Sequence, residues 1–306
     1  MKHLPVILSA LLFAAALLFF SFSLPEQRAN SLQNTVSAPY IPMKVEFAGE
    51  ALPLQFFDVR ESFEREIIVY GNLHSAILQN LKRITRYFPV IEPVLKANGV
   101  PDDFKYLALI ESDLRNQISP RGATGFWQFM KSAADDYNLE INDEVDERYH
   151  LEKSTEAACS YLKRAYSIFG SWTMAAASYN MGIKGLSDQI KRQKCDYYYD
   201  LLLSEETMRY VFRIAAVKTI LNDAERYGFS VADNEKYAPL SYTEVVVETS
   251  VESWADFAFE HGSNYKMLKY FNPWLRDAKL MNKKQKAYII KIPAQGFREG
   301  KHDIGE

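Results

Sequence analysis

Glu111 is the first side chain whose type and position suggest acid chemistry. It lies on one face of the helix that begins after Pro101, in line with Phe104 and Leu107 at spacings of three and four. The rest of this helix is apolar, so we expect it to be buried. Burial raises the pKa of a carboxyl group, as a general acid working near neutral pH requires. The alternative is a structural i, i+4 ion pair with Arg115, which spacing alone favours.

A turn containing two glycines follows at residues 119–128. Gly122 and Gly125 allow a ligand to approach the backbone closely. Trp127 beside Gln128 offers a stacking surface next to an amide, a combination that suits a sugar. An ordinary loop with aromatic core residues is the alternative, and Trp127 is equally compatible with a core role.

Two later segments carry further polar side chains near helix ends. Residues 175–182 form a small-residue pattern in which Tyr179 and Asn180 precede Gly182. Tyr210 lies at the start of an amphipathic helix. The structural alternatives are a core helix that ends at Gly182 and a buried tyrosine with a satisfied hydroxyl group.

The elements that must position these residues are helices. Helical periodicity covers residues 58–96, 154–169, 172–181 and 204–227, and a capping pattern at 132–135 precedes another helix. This region lacks the alternating pattern of strands, so the sequence predicts an all-α domain. The acidic stretch at residues 142–148 lacks the spacing of a calcium loop, which favours a solvated loop.

The C-terminal part has a different pattern. Residues 242–249 are rich in β-branched side chains and predict a strand, and a second strand is expected at 287–292, ended by Pro293. Two short helices fit between them, around Trp254 and Leu268. The order β-α-α-β predicts a small module, and residues 230–240 are the expected linker.

The N-terminal pattern predicts an export signal. Residues 6–24 contain no charge and follow a short basic start, which is typical of a signal peptide or an N-terminal membrane anchor over residues 1–24. Polar residues with scattered prolines follow, so residues 25–57 are predicted to be a linker that ends in an extended segment. The remainder is expected to work outside the cytoplasm.

Composition excludes several classes of protein. The length of 306 residues suits about two globular domains. A composition of 48% hydrophobic and 25% charged residues, with a net charge of -3, excludes a disordered chain. No basic excess indicates a nucleic-acid partner. The five histidines lack metal-ligand spacing. The sequence does not decide whether Cys159 and Cys195 form a disulfide.

In this order, the four motifs resemble the lysozyme-like SLT catalytic domain of lytic transglycosylases, family 23 of the glycoside hydrolases. Residues 110–112 resemble its Glu-Ser pair, and residues 119–130 its Ser-x-x-Gly-Ala-x-Gly-x-x-Gln segment. Residues 178–182 resemble Ala-Tyr-Asn-Ala-Gly, with Ser178 and Met181 replacing two alanines. Residues 206–211 resemble Glu-Thr-x-x-Tyr-Val. The resemblance spans about residues 88–227.

This resemblance implies a helical, lysozyme-like catalytic domain over residues 58–229 and a fold that is mainly α. The implied reaction cuts the β-1,4 bond from N-acetylmuramic acid to N-acetylglucosamine in peptidoglycan and leaves a 1,6-anhydro end. Glu111 would serve as acid and then as base, with no metal or cofactor. The implied substrate-binding residues are Ser119, Gly122, Gln128, Tyr179, Asn180 and Tyr210.

Residues 241–295 resemble a LysM domain, which binds N-acetylglucosamine. Asn272, Pro273 and residues 290–293 carry this likeness, whereas residues 248–251 replace the usual Gly-Asp pair. A structural cap on the catalytic domain is the alternative for this module.

The implied partner is the peptidoglycan glycan strand, and the implied location is the periplasm or cell envelope, with the N-terminal segment as a membrane tether if it is not cleaved. Two rival functions are a hydrolytic lysozyme-type muramidase and a non-catalytic wall-binding scaffold.

Overall fold

A helical region (residues 57–227) and a C-terminal module (residues 242–293) make up most of the chain that the computed structural model describes, residues 37–294. The predicted signal peptide or anchor at residues 1–24 lies outside the described residues. Between residues 37 and 294, no helix combines the length and hydropathy that a membrane crossing needs.

The helical region begins with a two-stranded hairpin, β1 (Glu46–Phe47) and β2 (Glu50–Ala51). The α-helices that follow are α1 (Phe57–Asn72), α2 (His74–Ala97), α3 (Phe104–Ser112), α4 (Lys131–Asp136), α5 (Leu151–Phe169), α6 (Trp172–Met181), α7 (Ile183–Gln193) and α8 (Glu205–Asn222). Short 3-10 helices lie at Glu147–Tyr149, Tyr198–Asp200, Ala224–Tyr227 and Asp233–Glu235.

Helix α8 is the central helix of this region. It packs against α1, α3 and α6, and Ile214, Ala215 and Val217 on it are fully buried. Helix α3 is buried through Phe104 and Leu107, as its apolar sequence predicts. The two helices that carry Glu111 and Tyr210 are therefore both fixed by the same core.

The observed helices differ from the predicted periodicity in places. The expected helical stretch 58–96 is two helices separated at Leu73, and α8 ends at Asn222 before a 3-10 turn. Helix α7 was not predicted. Ser132 lies inside the first turn of α4 and does not cap it, since the residue before that helix is Met130.

The structure also differs from the predicted linker at residues 25–57. In its described part, Val45, Phe47 and Leu52 are buried in the core of the helical region. The carboxylate of Glu50 accepts hydrogen bonds from the backbone N–H groups of Trp172 and Thr173 at 2.6 and 2.9 Å. The hairpin therefore caps the start of α6 and belongs to the fold.

The C-terminal module has the predicted order β3 (Tyr242–Val247), α9 (Trp254–Glu260), α10 (Tyr265–Phe271) and β4 (Tyr288–Pro293). The two strands are antiparallel, with Val247 opposite Tyr288. The fully buried Trp254, Leu268 and Ile290 form its core. The prediction of a mainly helical fold followed by a β-α-α-β module is confirmed.

The acidic loop at residues 142–148 joins the C-terminal module to the helical region. The prediction that this loop is solvated is therefore wrong. Its Val145 is fully buried within the core of the module. The backbone N–H of Asp146 donates to the carbonyl of Trp274 at 2.9 Å, and that of Arg276 donates to the carbonyl of Glu144 at 2.7 Å. The loop is therefore a strand-like bridge between the two parts.

Both cysteines are free thiols in the structure. Cys159 is buried on α5, and burial raises the pKa of its thiol to about 12. Its thiolate form is scarce near neutral pH, so this cysteine acts as a small core residue.

Candidate active site

Glu111 lies in the last turn of α3, at a point where the chain reverses sharply. Asp113 and Leu114, just beyond the helix, both adopt left-handed φ angles, of 50° and 51°. The hydroxyl group of Ser112 donates to the carbonyl of Phe126 at 2.9 Å and ties the helix end to the turn at residues 119–129. The backbone that carries Glu111 is thus fixed on both sides.

The carboxylate of Glu111 accepts a hydrogen bond from the hydroxyl group of Tyr210 on α8. Glu111 itself is partly buried, whereas Tyr210 is buried. The structural alternative, an ion pair with Arg115, is not formed: the helix ends at Ser112, and Arg115 instead pairs with Asp113 at 3.3 Å. Burial and a hydroxyl donor, rather than an ion pair with Arg115, define the surroundings of this carboxyl group.

Burial raises the pKa of Glu111 above its ordinary value. The hydrogen bond from Tyr210 and the charge of Arg213 act in the opposite direction, and the charge of Glu206 adds to the increase. Desolvation outweighs the two opposing effects, because the charged form loses more hydration than one hydroxyl group restores. Glu111 therefore keeps its proton to a higher pH than an exposed glutamate does.

Tyr179 lies close to Glu111 but is hydrogen-bonded elsewhere. Its hydroxyl group donates to the carbonyl of Trp127 at 2.8 Å. Burial, followed by the charge of Glu111, raises the pKa of Tyr179 well above its ordinary value, so this phenol stays neutral. Trp127 is fully buried and donates its indole N–H to Thr155 at 2.8 Å, which establishes the core role for this tryptophan.

Three of the predicted substrate-binding residues shape the turn that follows α3. The hydroxyl group of Ser119 accepts from the backbone N–H of Ala123 at 3.0 Å. The side-chain amide of Gln128 donates to the carbonyls of Gln117 and Gly125 at 3.1 and 2.8 Å. Gly122 is exposed at the tip with a φ angle of 84°, and the space around its Cα is open.

Gly125 allows two backbone segments of the protein to approach each other closely. Its φ angle is 83°, and a Cβ atom built there would lie 2.0 Å from the carbonyl oxygen of Arg148. The guanidinium group of Arg148 donates to the carbonyls of Gly122 and Phe129, both at 3.3 Å. The turn is therefore clamped to the same loop that docks the C-terminal module.

Asn180 joins the ends of α6 and α8. Its amide nitrogen donates to the carboxylate of Glu206 at 3.0 Å, and its amide oxygen accepts from the hydroxyl group of Thr207 at 2.7 Å. This pair of bonds fixes the first turn of α8, one turn before Tyr210. Asn180 thus helps to fix the start of the helix that carries Tyr210.

Arg213 is a site residue that the motifs do not include. It follows Tyr210 by three residues on α8 and so lies on the same helix face. Its guanidinium group donates to the hydroxyl of Tyr70 at 3.1 Å and favours the charged form of Glu111. The i, i+3 spacing from Tyr210 was the signal in the sequence that could have indicated it.

Other carboxylates near Glu111 in sequence point away from it. Asp113 accepts from the side-chain amide of Asn80 at 3.3 Å and pairs with Arg115. Asp135 and Asp136 lie on α4 and are not among the groups that shift the pKa of Glu111. Asp113 is therefore engaged by Asn80 and Arg115 rather than by Glu111.

Comparison with known families matches this region to the transglycosylase SLT domain, over residues 89–200. The chain contains an SLT transglycosylase domain. The same comparison matches residues 243–296 to the LysM-like domain found at the C-terminus of soluble lytic transglycosylases. Both resemblances noted in the sequence are confirmed, and the matched SLT interval ends before α8, which supplies Tyr210.

Two curated relatives are distantly homologous to this chain. Both are named membrane-bound lytic murein transglycosylase D, from Escherichia coli K12 and Escherichia coli O6:H1, and each is 26% identical over 228 residues. The alignment covers 72% of this chain, and the chain spans about half the length of these relatives, 49%.

A third relative aligns over a shorter part of the chain. A protein named for tributyltin chloride resistance in an Alteromonas species is 28% identical over 122 residues, which cover 37% of this chain and 59% of that protein.

Proposed function

We propose that this protein is a lytic transglycosylase of the cell envelope. It cuts the β-1,4 bond between N-acetylmuramic acid and N-acetylglucosamine in peptidoglycan and closes a 1,6-anhydro ring on the muramic residue. The observation that carries the proposal is Glu111, a carboxyl group at a buried helix end with a raised pKa and a hydroxyl donor from Tyr210. A protonated carboxyl group at neutral pH is what the first step of the reaction needs.

In the first step, Glu111 donates its proton to the glycosidic oxygen. The C1–O bond breaks, the leaving sugar keeps the electron pair and the proton, and positive charge develops at C1 of the muramic residue. Glu111 is left as a carboxylate, which the Tyr210 hydroxyl group and the Arg213 charge stabilise.

In the second step, the same carboxylate takes the proton from the C6 hydroxyl group of the muramic residue. The C6 oxygen bonds to C1 and forms the anhydro ring, so that Glu111 returns to its starting state and no water is consumed. A second carboxylate, which most glycosidases use, is not required. This agrees with Asp113, which faces Asn80 and Arg115.

The residues around Glu111 divide into two proposed roles. Tyr210 touches the reacting carboxyl group, and Gly122 lies open at the tip of the turn, where a glycan strand has access to the backbone. Ser119, Gln128, Tyr179 and Asn180 form bonds within the protein that shape the sugar-binding surface.

We assign catalysis to residues 58–229 and wall binding to residues 241–295. The export segment at residues 1–24 would place both in the periplasm, with a membrane tether if that segment is retained. The LysM-like module supports wall binding because it belongs to a family of lytic transglycosylase domains.

The product of the reaction tests this function. We expect purified peptidoglycan treated with the protein to release fragments with 1,6-anhydromuramic ends, which are lighter by one water than the reducing ends a hydrolase leaves. Mass spectrometry of the soluble fragments distinguishes the two. Reducing ends alone would establish a hydrolytic muramidase, and no released fragments would favour the non-catalytic scaffold.

We expect Tyr210→Phe to shift the pH dependence of cleavage. The lost hydroxyl group donates to the Glu111 carboxylate, so its removal disfavours the charged form and raises the pKa of Glu111 further. The alkaline limb of kcat/KM, on which the general acid loses its proton, should then move to higher pH. The maximum rate should fall about 10- to 100-fold, because a hydrogen bond to a charged group is lost.

Tyr106→Phe is the matched control for this measurement. Tyr106 lies on the same helix as Glu111, and its hydroxyl group donates to Asn222 at 2.7 Å. This variant loses a comparable hydrogen bond away from Glu111 and should keep the alkaline limb of the wild type. An alkaline limb of Tyr210→Phe that stays in place or moves to lower pH would contradict the role of Tyr210.

A further inference from the structure

A cavity of about 660 Å³ lies between the helical region and the C-terminal module. One wall consists of α2, with Arg86 and Tyr87, and of residues 114–116. The opposite wall consists of α10 and of Lys291 on β4. This interdomain cleft is formed only when the two parts are docked, so neither part contains the site by itself.

The interdomain cleft is strongly cationic. Six lysine and arginine side chains and one carboxylate, that of Glu152, line it. The six cations are Arg83, Arg86, Arg115, Lys266, Lys269 and Lys291. Because the whole chain has a net charge of -3, this concentration of positive charge is local and indicates an anionic ligand.

Two of these cations are neutralised within the protein. Lys291 pairs with Glu152, and Arg115 pairs with Asp113. Over residues 37–294, the remaining four cations form no ion pair with a carboxylate.

The unneutralised arginines bind neutral acceptors. Arg83 donates to the carbonyl of Asp113 at 3.2 Å. Arg86 donates to the carbonyl of Ala238 at 2.9 Å and to the hydroxyl of Tyr270 at 3.2 Å. These bonds orient the guanidinium groups but leave their charge unneutralised. Lys266, which also lines the cleft, is exposed to solvent.

Aromatic side chains supply the apolar part of the cleft. Trp274 is buried at its base, with its ring centroid 5.6 Å from that of His150. Tyr242 and Tyr270 are exposed along the module. A ligand that fits this surface carries negative charges together with small apolar groups.

The interdomain cleft is close to Glu111 along the chain. Leu114 lines the cleft and follows Glu111 by three residues, so their Cα atoms are at most about 11 Å apart. Phe126, whose carbonyl holds Ser112 at the end of α3, lines it as well. A group attached to a sugar at Glu111 can therefore reach the cleft.

We propose that the interdomain cleft binds the acidic peptide stem of peptidoglycan. The stem is attached to the muramic residue, carries several free carboxylates, and has alanine methyl groups between them. It thus matches both the cationic and the apolar lining. This inference rests on the proposed function and specifies the part of the substrate that the docked C-terminal module helps to recognise.

Titration of the full chain with a synthetic acidic stem peptide, free of sugar, tests the proposal. We expect saturable binding that weakens as ionic strength rises, because the cations are partly exposed. The same peptide with its carboxylates amidated should bind at least about fivefold more weakly. Since the peptide contains no glycosidic bond, its binding can succeed or fail independently of glycan cleavage.

Charge variants locate the binding. Lys266→Glu and Arg86→Gln should each weaken peptide binding about two- to fivefold, the effect of losing one partly exposed ion pair, with the charge reversal of Lys266→Glu at the upper end. Lys279→Glu is the matched control, because Lys279 is an exposed lysine of the same module outside the cleft lining, and it should leave binding unchanged. Lys266→Glu keeps the test informative if Arg86→Gln fails to fold.

Several results would overturn the proposal. They are the absence of binding, equal binding of the amidated peptide, and equal effects of Lys266→Glu and Lys279→Glu. Equal affinity for poly-glutamate would also reject the stem and would indicate an acidic protein partner instead.

Discussion

Replacing Glu111 with glutamine is expected to lower the rate of glycan cleavage by about 10²- to 10⁴-fold, the contribution of a positioned general acid and base. Glutamine has nearly the same shape and can still accept a hydrogen bond from Tyr210, but it neither donates the proton in the first step nor accepts one in the second. The measurement is the release of anhydromuropeptides from purified cell walls, followed by mass spectrometry.

Asp113→Asn is the matched control for this variant. It removes a carboxylate two residues away, and asparagine tolerates the left-handed backbone at this position. This variant should retain most of the activity, because Asp113 faces Asn80 and Arg115 rather than Glu111. Equal losses in the two variants, or unchanged cleavage by Glu111→Gln, would reject the catalytic assignment.

Glu111→Gln should also be more stable than the wild type at neutral pH. Burial raises the pKa of Glu111 in the folded protein above 4.5, its ordinary value. The stability that the protonated form contributes is therefore complete below about pH 4.5 and is lost as pH rises through the raised pKa. Glutamine is never charged, so Glu111→Gln should unfold at a higher temperature at pH 7 and show no such gain at pH 4.

Gly125→Ala is expected to destabilise the fold strongly, for two separate reasons. The left-handed backbone costs alanine about 1–2 kcal/mol. The new Cβ atom would overlap the backbone carbonyl of Arg148, 2.0 Å away, and relieving this overlap should cost a further ~1–3 kcal/mol. The free energy of unfolding from urea titration measures the sum.

Gly122→Ala separates the two costs. Its φ angle of 84° matches the 83° of Gly125, but nothing lies within 4 Å of an added Cβ atom. It should therefore show only the conformational cost. Equal destabilisation by the two variants would mean that the turn moves freely away from Arg148, contrary to a clamp between this turn and the loop at residues 142–148.

The helices of the fold were largely predictable because their periodicity is local. Helices α3, α5 and α6 lie where the apolar spacing predicts them, and the two strands of the C-terminal module follow from β-branched runs. The hairpin at residues 46–51 was not recognised. Its strands have only two residues each, and their stability comes from the burial of Phe47 and the capping of α6 by Glu50.

For the candidate site, the motifs indicate which residues belong to it but not which groups their side chains bind. Tyr210 lies 99 residues from Glu111 in the chain and yet donates to its carboxylate. Ser119 and Gln128 are expected to orient the sugar, and in the structure their polar atoms bind the turn itself. Hydrogen-bond partners depend on distances and angles between side chains, which residue types and spacing leave undetermined.

By itself, the sequence determined the helical class, the β-α-α-β module, the SLT motifs and the choice of Glu111 as the candidate acid. These features follow from local periodicity and from residue identities in a fixed order. Only the tertiary structure decided the direction of the pKa shift of Glu111, its partner Tyr210, and the cationic cleft between the two parts of the chain. Desolvation and charge summation depend on which distant segments pack together, and that packing is set by the whole core and not by any single stretch of sequence.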